Sequence, residues 1–514
     1  MPVASLADRA TEIAKALTSR GICFGDRVAL WLPNCPEWFA IFLATARIGA
    51  IAVMVNTRFR SSEIADIIGR SGSKVLFLSL DFCGIDFPKI LSEIELSALE
   101  SLEAIVAVNQ MDASGSAVAS PTCQKVVESM AVFLEGSRHV LPASWPDEAD
   151  LAEAGAAIFT TSGTTSNPKF VLHSQQNATR HAADVTRAFD MGPKSGPIYQ
   201  ALPLCGVFGF CITFAAFAAD QDILLEEAFS ASAAVAAVQK NRSTHLFATD
   251  DMLHRMLDED PDKEALRSLK MAGFAAFNGD PAVLMTRCED HRVPLFGLYG
   301  MSEVMALFAA QFPEAPSSRR MKGGGMPVCS EAAVRVRDPE TGELLGPREI
   351  GALEIKTPNR MIEYFGNPEA TSEAIDGDGF LRTGDVGYLE DVGFVFTARM
   401  GDALRLGGFL VAPEEISSRI DALTEVSASQ VVGVLVAGKS RCAAFVIPTE
   451  GADIAKEAVV EHCRSGLAAY KVPIAVWEID AFPTTPGPNG TKILRRKLQD
   501  LAQQRLDAVG DVSN

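Results

Sequence analysis

Apolar positions near the start of the chain follow two alternating periods. Ala7–Arg20 carries its apolar residues at helical spacing. Arg27–Leu32 is a short, almost wholly apolar run of strand length. Glu37–Gly49 returns to a helix, Ala50–Val55 to a strand, Ser62–Ser71 to a helix and Lys74–Leu80 to a strand. Strands that are apolar throughout, with helices between them, predict parallel sheets covered on both faces. Later, Gly393–Ala398 and Gln430–Val436 read as strands, Phe445–Pro448 as another, and Glu414–Leu423 as a helix. Residues 111–150 are rich in Ala, Ser and Pro with little periodicity, and predict a surface connection. Ser195–Ala219 contains no charged residue, but Gly196, Pro197, Pro203, Gly206 and Gly209 would break a helix repeatedly. Only Phe210–Ala219 looks helical, too short to cross ~30 Å of hydrocarbon. The pattern changes near residue 399, where Arg399-Met-Gly-Asp402 is polar. We therefore expect an α/β protein: a large N-terminal part over 1–399 with parallel-rich sheets, and a small α+β domain over 400–514.

The length of 514 residues agrees with several cores. Lys plus Arg is 46 and Asp plus Glu is 65, a net charge of 46 − 65 = −19. That argues against nucleic acid or an anionic membrane surface as a partner. An anionic small ligand would need cations placed one by one. The ten cysteines are scattered and form no C-x-x-C pair, as expected of reduced thiols in the cytoplasm. Met1-Pro-Val-Ala-Ser-Leu-Ala-Asp-Arg9 has no basic start followed by an apolar stretch, so a secretory signal is not expected there.

Ile158-Phe-Thr-Thr-Ser-Gly-Thr-Thr-Ser-Asn-Pro-Lys169 is the most informative stretch. A strand-like pair runs into consecutive Thr, Ser and Gly residues and ends on a lysine. Small hydroxyl residues let backbone N–H groups approach an anion closely, and Lys169 adds a point charge. The spacing is not that of a Walker loop. This loop resembles the signature loop of the adenylate-forming (AMP-binding) superfamily, which includes acyl-CoA synthetases, luciferases and peptide-synthetase adenylation domains. Leu298-Tyr-Gly-Met-Ser-Glu303, Thr383-Gly-Asp385, Arg399-Met-Gly-Asp402 with Gly407-Gly408 and Pro413, and Leu467-Ala-Ala-Tyr-Lys-Val-Pro473 followed by Thr491-Lys-Ile-Leu-Arg-Arg496 resemble its other motifs, in the same order. Gly25-Asp-Arg-Val-Ala-Leu30, Asn34 and Gly49-Ala50 fit its opening.

The resemblance implies an acyl-CoA synthetase fold and a two-step reaction. A carboxylate joins AMP with release of pyrophosphate, and the acyl group then passes to coenzyme A. It implies that Thr161, Ser162, Gly163, Thr164, Thr165 and Lys169 hold the β- and γ-phosphates of ATP. Tyr299 and Gly300 would lie against adenine, with backbone contact from Gly279, and Ser302 would donate to the α-phosphate. Glu303 would hold Mg²⁺, Asp385 the ribose hydroxyls, and Arg399 the ribose and phosphates. Lys492 would be the catalytic lysine, Asp402 the hinge, and Gly407 and Gly408 the lining of a pantetheine tunnel. Cys205, Gly206, Phe208, Phe247 and Met305 would border an apolar pocket for an aliphatic or aromatic acid. Homodimerisation is left open.

Departures from the pattern are Ser166 and Phe170 in place of glycines, Leu410 in place of an asparagine, Gly401 in place of a lysine, and Cys205-Gly206 in place of an aromatic-His pair. Asp250 and Asp251 stand where Val-Pro-Thr-like residues are usual, and surface exposure is the expectation for both. Two other readings compete. A peptide-synthetase domain would anchor an amine with an aspartate, where this chain has Cys205-Gly206-Val207. A non-catalytic nucleotide-binding relative would not need Lys169, Glu303, Asp385, Arg399 and Lys492 together.

Overall fold

The computed structural model describes residues 1–108, 127–135, 145–161, 168–276, 281–400, 403–406, 409–436, 439–467, 469–487 and 490–510. Arg27–Trp31 lies at the centre of an eight-stranded sheet, flanked in parallel by Ile51–Met54 and Val75–Leu78. Its residues divide between two cores as a strand requires: Val28 and Leu30 join one cluster, Ala29 and Trp31 the other. Helices Val3–Ser19 and Pro36–Arg47 cover the first face, and Ser61–Ser71 the second. The apolar runs are thus buried on both sides, as a parallel sheet demands.

A second, eleven-stranded sheet joins a parallel half to an antiparallel half. Ile198–Gln200, His245–Thr249, Met271–Ala275 and Leu295–Tyr299 run parallel. From Leu295–Tyr299 onward the pairing is antiparallel, through Ala309–Ala310, Gly324–Pro327, Phe394–Arg399 and Leu381–Leu389. Helix Val207–Ala218 replaces the expected Phe210–Ala219, and Phe210 packs on Phe42 (5.0 Å) and Phe159 (5.3 Å). No described helix is long and apolar enough to cross a membrane.

Beyond Arg399 the strands pair only among themselves, among the described residues. Val426–Val436, Lys439–Pro448 and Val476–Glu478 form a three-stranded sheet. Val431 faces helices Pro413–Asp421 and Lys456–Gly466, while Val432 and Val434 face Leu498 and Ala502 of helix Arg495–Gly510. This small layered unit matches the expected α+β C-terminal domain.

One expectation needs correction. Within 111–150 the structure places strand Val127–Ser129, parallel to Ala104–Ala107, and helix Met130–Glu135 with Met130 and Phe133 buried. Phe133 packs edge-on against Phe77 at 5.3 Å. Two apolar anchors are too few to show periodicity, yet enough to extend a sheet edge.

Candidate active site

The carboxyl ends of the parallel strands open on one side of the second sheet, where open α/β sheets place their ligands. Tyr299 ends its strand there, buried, with the ring of Phe394 edge-on at 5.1 Å and that of Phe396 tilted at 5.6 Å. Its hydroxyl donates to Asp385 Oδ2 at 2.7 Å. Asp385 pairs with Arg399 across two antiparallel strands, and Arg399 Nη1 lies 3.1 Å from Oδ1. The Asp385 backbone N–H donates to Thr383 Oγ1 at 3.0 Å, and Gly384 supplies a positive φ of 71° between them. Burial raises the Asp385 pKa above the usual carboxylate value, and Arg399 and Tyr299 pull it only part of the way back. A half-exposed arginine beside a buried carboxylate suits a ligand with adjacent hydroxyl and phosphate groups. The tyrosine ring is already committed to a packed aromatic cluster.

Gly300 turns the chain out of the sheet. A Cβ there would sit 1.1 Å from the Ala306 carbonyl oxygen, so a side chain is excluded without moving backbone. The segment folds back through a short 3₁₀ turn at Ser302–Val304, and Met305 and Ala306 follow with φ of 57° and 65°. Two successive non-glycine residues in the left-handed region are strained and need outside support. His173 donates from Nε2 to the Ser302 carbonyl at 2.7 Å, and the Ala306 N–H donates to the Met301 carbonyl at 2.9 Å. His181 reaches the Met305 backbone. Burial lowers both imidazole pKa values to about 4, so both are neutral.

Glu303 is buried beneath this turn. Tyr364 donates from its hydroxyl to Oε1 at 2.7 Å, and the Met361 N–H donates to the Glu303 carbonyl at 2.7 Å. No group of three or more His, Cys, Asp or Glu among the described residues could hold a metal alone. A buried carboxylate with one oxygen hydrogen-bonded to a phenol would fit a hard cation that takes most of its oxygens from phosphates and water.

The phosphate-loop residues Ser162, Gly163, Thr164 and Thr165 lie outside the described residues, as do Ser166, Gly279, Asp402, Gly407 and Gly408. The loop's neck is described. Strand Gly155–Thr160 pairs antiparallel with Phe170–Ser174, and the Thr161 N–H donates to the Lys169 carbonyl at 3.0 Å. Lys169 is exposed, its Nζ 4.4 Å from the centre of the Tyr364 ring. Phe170 is buried in the first sheet, with the Arg70 guanidinium over its ring at 4.1 Å, and Arg70 Nη2 donates to the Pro168 carbonyl at 2.9 Å. The aromatic residue in place of glycine thus anchors the loop's exit.

Lys492 stands on strand Gly490–Ile493, opposite Thr485 of Thr484–Gly487, in a hairpin of the C-terminal unit. Of the acyl-pocket candidates, Cys205, Gly206 and Phe208 are half-buried at the start of helix Val207–Ala218. Met305 is buried with the first-sheet core. Phe247 belongs to the second-sheet core, against which Phe208 also packs. Phe247 lies within strand His245–Thr249 and packs on Phe189 at 5.0 Å. Asp251 is exposed, as expected, but Asp250 is buried, because Thr249 caps a helix that begins at Asp250.

Three positioning residues were not visible in the sequence. Tyr364, His173 and His181 have no local signature. Asn34 was visible only as part of the opening. Its carboxamide donates to the carbonyls of Leu202 and Glu226, both at 3.0 Å, and accepts from the Leu204 N–H at 2.8 Å, shaping the turn before Cys205.

The whole chain has relatives. It is 28% identical to the 3-[(3aS,4S,7aS)-7a-methyl-1,5-dioxo-octahydro-1H-inden-4-yl]propanoyl:CoA ligase of Rhodococcus jostii, over 96% of this chain and 92% of that one. It is 26% identical to a 2-succinylbenzoate–CoA ligase of Bacillus velezensis, over 94% and 89%. The crystal structure of ATP-bound MatB from Rhodopseudomonas palustris superposes with a TM-score of 0.80, at 25% identity, covering 97% of this chain and 93% of the other. The family model for AMP-binding enzymes matches residues 3–365, and that for the AMP-binding enzyme C-terminal domain matches residues 415–487. By these matches the chain belongs to the AMP-binding, adenylate-forming enzyme family.

Proposed function

We propose that this protein is an ATP-dependent acid–CoA ligase. It joins an aliphatic or aromatic carboxylate to AMP, releases pyrophosphate, and transfers the acyl group to the thiol of coenzyme A with release of AMP. The observation that carries the reading is the grouping of Tyr299, Asp385 and Arg399 at one sheet end, with the Ser302–Glu303 turn continuing from the same strand. Relatives named as CoA ligases over nearly the whole chain support it.

In this reading Asp385 accepts from the ribose hydroxyls and Arg399 faces the phosphates. Thr161 through Thr165 and Lys169 hold the outer phosphates. Ser302 donates to the α-phosphate. Glu303 holds Mg²⁺, which offsets charge on the phosphates when bound. Lys492 approaches the carboxylate and α-phosphate from the C-terminal domain, supplying positive charge where negative charge develops. We place the division of the chain at 399/400 and its hinge at Asp402. Rotation about it withdraws Lys492 and lets Gly407 and Gly408 admit the pantetheine arm. Cys205, Gly206, Phe208, Phe247 and Met305 border the acid. A reducing, cytoplasmic setting suits the nine described cysteines, all of them free.

The test is pyrophosphate release across a panel of aliphatic and aryl acids. It must require both acid and Mg²⁺-ATP, and a thioester must follow when coenzyme A is added. A folded chain that releases no acid-dependent pyrophosphate with any member would overturn the proposal.

A further inference from the structure

Tyr364 lies between Lys169, assigned above to the phosphates, and Glu303, assigned to the metal. It sits on the edge strand Glu363–Tyr364, whose Tyr364 pairs with Val171 two residues after Lys169. Its backbone is held firmly: the N–H donates to Thr371 Oγ1 at 3.0 Å, and its carbonyl accepts from the Asn367 N–H at 2.8 Å. From this anchored, buried position the hydroxyl donates to Glu303 Oε1 at 2.7 Å. The face of the same ring lies 4.4 Å from Lys169 Nζ. The ring electrons attract the ammonium group, and the hydroxyl orients the carboxylate. The same segment holds the turn a second time, through the Met361 N–H and the Glu303 carbonyl.

We infer that Tyr364 is a positioning residue that sets the separation between Lys169 and Glu303, and so aims one free carboxylate oxygen at the cation of a metal–triphosphate chelate. The phenol competes for Oε1 and not for Oε2, which favours single-oxygen ligation by Glu303. That suits Mg²⁺, which keeps near-octahedral geometry and accepts one or two carboxylates beside phosphate oxygens. A carboxylate without this partner would rotate freely or pair with Lys169, and either would cost cation affinity. The inference rests on the reading of Glu303 as the metal carboxylate.

The experiment is calorimetric titration of ATP into the full chain without acid, with and without Mg²⁺. The readout is the gain in ATP affinity that Mg²⁺ confers. Tyr364→Phe keeps the ring and loses the donor. It is expected to reduce that gain roughly 10–100-fold, the usual effect of removing a partner of a metal ligand, and to leave metal-free ATP binding unchanged. Tyr364→Leu is expected to weaken metal-free binding as well, because Lys169 loses its platform. A Tyr364→Phe chain with the wild-type gain overturns the inference. Glu303→Gln separates the two levels. If it too keeps the gain, the assignment of Glu303 fails. If it loses the gain while Tyr364→Phe keeps it, the role of Tyr364 alone fails. Should Tyr364→Phe not melt cooperatively, the wild-type chain labelled with 3-fluorotyrosine carries the test. Among its five tyrosine resonances, one must move on adding Mg²⁺ to the ATP complex, and none moving overturns the inference.

Discussion

The Tyr299 hydroxyl donates to the Asp385 carboxylate at 2.7 Å, joining residues 86 positions apart in the chain. Asp385 is buried, and among the described residues the one cation paired with it is the half-exposed Arg399. Its folded-state pKa is raised above its ordinary value, so the folded chain holds this proton more tightly than the unfolded chain. The contribution therefore opposes folding above the usual carboxylate range and fades as pH falls. Asp385→Asn is expected to melt no lower than wild type at pH 7, while its affinity for ATP falls by roughly 10-fold or more. A markedly lower melting temperature would contradict the balance of burial and pairing described here.

Lys492→Ala is expected to slow acid-dependent pyrophosphate release by roughly 10²–10³-fold, in line with removal of a preorganised charge. Thioester formation from presynthesised acyl-AMP should stay near the wild-type rate. Single-turnover assays of the two half-reactions decide it. Equal loss in both would contradict a lysine that withdraws before the second step.

His173 and His181 are neutral in the fold, with pKa values lowered to about 4 by burial. In the unfolded chain they titrate near 6.5. Their stabilising contribution is thus complete above that value and is lost as pH falls from about 6.5 towards 4, by up to about 3 kcal/mol for each. His181→Gln should flatten the fall in melting temperature over this window. An unchanged slope would show that other groups control acid unfolding.

Gly300→Ala places a methyl group on the Ala306 carbonyl. The strained pair Met305 and Ala306 must then move, and Ser302 and Glu303 with them. The variant should lose several kcal/mol of stability and most ATP binding. Thermal melting with and without ATP tests both parts together, and a chain that binds ATP normally would show that the turn tolerates a second conformation.

Strands and helices of the first 80 residues were legible to within a few residues, because their periods of two and 3.6 are local properties. The motifs Tyr299-Gly-Met-Ser-Glu303 and Thr383-Gly-Asp385 could be picked out in the sequence because each is contiguous. Asp250 could not be read in this way. Its burial follows from Thr249 capping a helix at the end of a strand, whereas isolated aspartates usually face water. Phe170 was visible only as a departure from a glycine, and the packing of Arg70, about a hundred positions earlier, on its ring shows it as an anchor.

By itself, the sequence determined the alternating elements at the start of the chain, the α/β class and the chemical types gathered in each motif. Tertiary structure alone decided which of those groups meet. Hydrophobic periodicity selects an element and a face, and a hydrogen bond needs a partner at a set distance and angle. Tyr364 reaches Glu303, and Tyr299 reaches Asp385, because two sheets and an edge strand bring distant segments into contact. Local spacing carries no record of that meeting.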